Sequence, residues 1–109
     1  MTQTAKRQWS RALTDENLVL ERPHLGGVQR VYRFAGGFGL SLVNSTVLHV
    51  RPFAWEAAVL GGVGKDGNFG RIIYDTPLTH DVEVFSTDGA ANAFIKRARD
   101  YFAAKARGR

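Results

Sequence analysis

Apolar and polar residues alternate through the first two thirds of the chain, then change to a spacing of three and four. Leu18, Leu20 and Arg22 alternate with Val19 and Glu21, which predicts a half-buried strand over Asn17–Arg22. Pro23 is expected to stop it, because proline cannot donate to a ladder. His24-Leu25-Gly26-Gly27 reads as a turn. Over Val28–Ala35 the residues Gln29, Val31, Arg33 and Ala35 face one way and Val28, Arg30, Tyr32 and Phe34 the other. The Tyr32/Phe34 side is the better core face. Gly36-Gly37 then supplies the positive φ that a tight turn needs. Phe38, Leu40 and Leu42 give the returning strand a clean apolar face, and Gly39 within it suggests a bulge or a close backbone approach.

Asn44-Ser45-Thr46 is a second turn and Val47–Val50 a short strand, broken at Arg51-Pro52-Phe53. Ala54–Leu60 reads as a strand, with Trp55, Ala57 and Val59 opposite Glu56, Ala58 and Leu60. Gly61–Gly70 is a glycine-rich loop, Arg71–Tyr74 a strand that ends before Pro77, and Asp81–Phe85 a last short strand or an extended lead-in. Ser86, Thr87 and Asp88 are all good N-cap types. After them Ala91, Phe94, Ile95, Ala98 and Phe102 form one apolar helical face. Gly108 lies beyond the expected helix end. The pattern predicts an α+β fold: an antiparallel sheet of four to six strands packed against one C-terminal helix. Residues 1–16 lack periodicity and are expected to be a flexible N-terminal arm on a single domain over 17–109.

Charge changes the picture at one end. The chain has a formal net charge of +5, and residues 96–109 hold Lys96, Arg97, Arg99, Lys105, Arg107 and Arg109 against Asp100 alone. The body is nearly neutral. A basic helix can track nucleic-acid phosphates, so these six residues are the candidate nucleic-acid contacts. With no cysteine there is no disulfide framework and no thiol nucleophile. No apolar run reaches the length of a membrane span, and the N-terminus lacks an apolar signal region. A cytoplasmic protein with no membrane association is expected.

Candidate chemistry is thin. Gly61-Gly62-Val63-Gly64-Lys65-Asp66 resembles a phosphate loop, but Val59 stands where the pattern needs glycine and Asp66 where it needs Ser or Thr. His24, His49 and His80 lie apart, with no metal-ligand spacing. Asp75, His80 and Asp81 are the best acid–base candidates, on condition that the Thr76-Pro77 break folds His80 back toward Asp75. Asp75 is otherwise suited to capping a turn, and Thr76 before proline is held extended. The expectation is no enzyme, no metal and no cofactor.

Three stretches, in this order, resemble one family. They are Tyr32-Arg33-Phe34-Ala35-Gly36-Gly37-Phe38-Gly39-Leu40-Ser41-Leu42-Val43, then Trp55-Glu56-Ala57-Ala58-Val59-Leu60, then Tyr74-Asp75-Thr76-Pro77-Leu78-Thr79-His80-Asp81-Val82. Together they are similar to small uncharacterised proteins of actinobacteriophages, over roughly residues 28–102. Gly36 replaces the usual asparagine at the turn, and the closing helix is more basic than the family's. The resemblance implies a phage or prophage accessory protein in the cytoplasm of the host cell, and it carries no catalytic residues over. The functional expectation is a non-enzymatic module that binds a host or phage protein through strand edges and the loop aromatics Phe53 and Phe69. A homodimer through a self-associating edge strand, and nucleic-acid binding by the basic helix, are the alternatives.

Overall fold

The computed structural model describes residues 13–44, 55–79 and 82–108. Among the described residues six strands and one long helix follow in order: β1 (Leu18–His24), β2 (Gly27–Arg33), β3 (Gly39–Asn44), β4 (Trp55–Gly61), β5 (Arg71–Ile73), β6 (Glu83–Phe85) and α1 (Asp88–Arg107). The sheet is antiparallel in the order β1-β2-β3-β4-β5, and β6 also pairs with β4. This is the expected α+β architecture. The strand expected over Val47–Val50 falls outside the described residues.

One face of the sheet holds the main core. Tyr32, Leu40, Leu42, Trp55, Ala57 and Val59 meet Ala91, Phe94, Ile95, Ala98 and Phe102 of α1. Thr87 caps the helix, its hydroxyl accepting from the Ala90 N–H at 3.1 Å. The indole of Trp55 donates to Asp88 at 2.6 Å and ties the first helical turn to β4. At the other end the Gly108 N–H donates to the Ala104 carbonyl. The opposite face carries a smaller cluster of Val31, Leu60 and Val63, against which Val19, Leu20 and Phe69 pack. Beside it runs a polar row, in which Arg22 donates to Gln29 and Gln29 to Ser41.

Three local readings need correction. β1 runs through Pro23, which stands opposite Val28, because β1 is the first strand of the sheet and an edge strand tolerates a missing donor. The register shifts between Leu18 and Leu20. That bulge sends Leu18 to the helix-side core and Leu20 to the opposite cluster, so the two do not share a face. The β1–β2 turn is only Leu25-Gly26, with φ of 46° and 78°, the positive pair of a type I′ hairpin.

Gly39 is a close backbone approach: a Cβ there would stand 1.9 Å from the Tyr32 carbonyl oxygen. Gly36 and Gly37 both have positive φ, as the turn requires.

Arg30 shares the core-side face with Tyr32 and is 2% exposed. Its Nε donates to the Tyr32 hydroxyl at 2.9 Å, and its terminal nitrogens reach Glu21 at 2.8 Å, Asp15 at 2.5 Å and the Thr14 carbonyl at 3.1 Å. The Tyr32 hydroxyl donates to the same carbonyl at 2.8 Å. Leu13 is buried in the core, and the Thr14 N–H donates to Asn92 on α1. The arm expected over residues 1–16 is therefore docked from Leu13 onward.

Candidate functional site

Among the described residues, β4 carries two partners on one edge. Ala57, Glu56 and Trp55 pair with β6, and Gly61, Leu60 and Val59 pair with β5. Both short strands run antiparallel to β4, so together they form one edge strand divided opposite Ala58. The chain leaves the sheet after Ile73 and rejoins it at Glu83. Thr76 organises the start of this excursion: its hydroxyl accepts from the Leu78 N–H at 3.1 Å and the Thr79 N–H at 3.3 Å, and its own N–H donates to the Thr79 carbonyl at 3.2 Å. The turn is thus built by the Thr76 side chain, where the sequence suggested Asp75 as the capping residue. Leu78 reaches the main core and Thr79 is buried.

The exposed large hydrophobic side chains among the described residues are Leu25, Ile72, Tyr74, Val82 and Val84. All but Leu25 belong to this divided edge. Tyr74 is 54% and Val84 56% exposed. Register explains Ile72 and Val84: they stand opposite Leu60 and Glu56, on the face away from α1. Their neighbours Ile73 and Phe85 point to the core side and are packed.

A second surface lies at the far end of α1. The turn after β2 and the last helical turns enclose an open groove of about 530 Å³, lined by Ala35, Gly36, Phe38, Phe102, Lys105 and Ala106 among others. Its floor is aromatic. The Phe38 and Phe102 rings stack at 4.7 Å with planes 7° apart. Lys105 stands at the rim and Arg107 follows it, both exposed.

The remaining helix cations are engaged locally. Lys96 bonds Asp100 one turn later at 3.0 Å. Arg99 pairs with Glu16 and also reaches Asp100 at 3.5 Å. The Lys96 hydrogen bond, reinforced by both cations, holds the Asp100 carboxyl below its ordinary range. The Arg97 guanidinium lies 5.1 Å over the Phe94 ring. At about 100° per residue, the cations from Lys96 to Arg107 spread over roughly 240° of the helix circumference rather than along one stripe. Arg109 lies outside the described residues.

Of the expected protein contacts, Phe53 lies outside the described residues, and Phe69 is half-buried against the Val31/Leu60/Val63 cluster. Of the acid–base candidates, His80 and Asp81 lie outside as well, and Asp75 is exposed. Among the described residues no group of His, Asp and Glu is placed to hold a metal ion, and no helix is long and apolar enough to cross a membrane. Sequence reading missed the divided edge. The signal available for it was a pair of short apolar runs flanking the Tyr-Asp-Thr-Pro stretch.

Compared with known proteins, the chain matches no family model, no curated protein and no solved structure.

Proposed function

We propose that this chain is a non-enzymatic binding module, a small phage or prophage accessory protein that docks a host or phage protein inside the bacterial cell. Its contact surface is the divided β5–β6 edge with Tyr74 and Val82 beside it. One observation carries this reading: among the described residues, four of the five exposed large hydrophobic side chains, Ile72, Tyr74, Val82 and Val84, lie on or beside that edge. Exposed apolar side chains gathered along one edge of a small domain commonly mark an interaction surface. A divided edge also resists uncontrolled pairing, since each piece is only three residues long. The phage context rests on the three stretches that resemble actinobacteriophage proteins, the last of which is this edge's own Tyr74–Val82.

The test is cross-linked capture from a bacterial lysate with the native chain and with the Ile72→Glu/Val84→Glu variant as baits. Both side chains are exposed, so the variant is expected to fold with an unchanged circular-dichroism spectrum. The reading requires a protein held by the native bait and lost from the variant. Identical capture profiles from the two would refute it.

A further inference from the structure

Residues 13–15 lie in a cleft between β2 and α1 as a bound peptide would. Leu13 is 2% exposed, its side chain in the helix-side core. Thr14 uses both of its backbone groups. Its N–H donates to the Asn92 side-chain oxygen at 2.8 Å, and its carbonyl accepts from Arg30 at 3.1 Å and from the Tyr32 hydroxyl at 2.8 Å. The Asp15 carboxylate stands 2.5 Å from the Arg30 guanidinium. The Thr14 hydroxyl takes no part in this and accepts from the Glu16 N–H instead. The cleft thus reads one residue by its apolar bulk, the next by its backbone alone, and the third by its negative charge.

The walls of the cleft are joined to each other without this strap. Trp55 bonds Asp88 in the first turn of α1, the Phe85 ring packs on Phe94 at 5.1 Å, and the Phe38 and Phe102 rings stack toward the helix end. Residues 13–15 add no rung to the sheet. β1 begins after them, beyond a turn closed by the Leu18 N–H on the Asp15 carbonyl at 3.0 Å, with Asn17 at a φ of 70° as its pivot. Nor is the strap sealed against the helix. An open groove of about 260 Å³ runs between Thr14 and Glu16 on one side and Asn92, Ile95, Lys96 and Arg99 on the other.

We infer that this cleft is a peptide-binding site occupied by the chain's own residues 13–15, and that its ligand is an extended segment of the pattern apolar–any–acidic. A partner carrying such a segment takes the cleft when the strap leaves it. The strap is tethered beside its site and acts at an effective concentration on the order of millimolar, so a free segment competes poorly with it. The site is separate from the β5–β6 edge, whose Ile72 and Val84 lie on the face away from α1, and either reading can fail without the other.

The experiment uses the full chain and a dye-labelled peptide of residues 13–17, Leu-Thr-Asp-Glu-Asn. In the Leu13→Ala/Asp15→Ala variant the strap loses its anchor and its charge, while both walls keep their native residues. Circular dichroism checks the fold. Fluorescence anisotropy should show the peptide binding this variant about tenfold or more tightly than the native chain, whose cleft is filled. A peptide carrying the same two alanines should bind neither protein. No binding to the folded variant, equal binding to variant and native chain, or equal binding of the two peptides would overturn the inference. Hydrogen exchange on the native chain decides the matter independently, whether or not the variant folds. The strap must leave without unfolding the walls, so the Thr14 and Leu18 amides should show about tenfold or more lower protection than the Tyr32 amide. Equal protection at all three would mean that the strap opens only with the whole domain, which also ends the inference.

Discussion

Removing carboxylates from around Arg30 should be cheap once and expensive twice. Arg30 is 2% exposed, while its partners Asp15 and Glu21 are 82% and 38% exposed. Burial alone would weaken the guanidinium's hold on its proton. The Tyr32 hydroxyl, Asp15 and Glu21 more than offset that, so its pKa stands above the ordinary arginine value. Asp15→Ala removes a largely solvated anion and leaves Glu21 in place, which should cost about 0.5 kcal/mol, as for exposed pairs. Glu21→Ala, with Asp15 remaining, should cost about 1 kcal/mol. The double variant strips a buried cation of the Asp15 and Glu21 carboxylates and should cost about 3–5 kcal/mol. The coupling between the two sites is therefore about 1.5–3.5 kcal/mol, at the upper part of the range seen for groups sharing one network. Arg30→Met removes the charge itself. Both carboxylates return to water, and the Tyr32 hydroxyl keeps its bond to Thr14, so the loss should be about 1–2 kcal/mol, smaller than in the double variant. Urea unfolding of the four variants, with the slope checked for constancy, measures all of this. A double variant whose loss is the sum of the two singles would refute the claim that these carboxylates jointly hold Arg30.

Phe94 is buried between Phe85 and the helix-side core, so Phe94→Ala should cost about 3–5 kcal/mol in the same assay, and a loss under about 1 kcal/mol would undo the packing described for α1. Leu25 holds positive φ at the first central position of a type I′ turn, so Leu25→Asn should raise stability by about 0.5–1 kcal/mol; a decrease would show the turn is of another type. Burial raises the Tyr32 pKa above its ordinary 10.0 although Arg30 pulls the other way. Above pH 10 the unfolded chain then binds fewer protons than the folded one, so stability should fall as pH rises from there, and Tyr32→Phe should flatten that slope.

What the sequence made legible was whatever repeats with a period. Ala91, Phe94, Ile95, Ala98 and Phe102 were readable as one face because a helix spaces them so, and the same holds for Leu40/Leu42 and Trp55/Ala57/Val59 along their strands. The bulge near Val19 was hidden, because one extra residue leaves the local alternation intact while turning everything before it over. Arg30 was hidden for another reason. Arginine is seldom buried, and what makes burial tolerable here is a set of partners from residues 14, 15, 21 and 32, of which only Tyr32 stands on its own strand. The divided edge joins two strands with nine residues between their paired registers, and the groove joins residues 35–38 to 102–108; short apolar runs mark the two strands, but no local pattern announces that they line up on one edge or that the groove forms.

The basic helix is best judged by how many of its cations could act together. Counterion release gives a salt slope of about −0.9 for each phosphate neutralised on duplex DNA, so six cooperating cations would give a slope near −5. The fold disperses them. Lys96 and Arg99 are held by Asp100 and Glu16, and Arg97 lies on Phe94, which leaves Lys105 at the groove rim and Arg107 on the other side of the helix, with Arg109 following in sequence. Two or three cations predict a slope of about −2 to −3 and only weak, sequence-independent binding. Fluorescence anisotropy of a labelled duplex between 0.05 and 0.2 M salt reads that slope directly. A value near −5 would mean that the helix gathers all six residues onto one phosphate track, and the local pairs described for Lys96, Arg97 and Arg99 would then have to open. A slope of about −2 to −3 instead fits a helix whose cations are dispersed around its circumference and partly engaged by local partners.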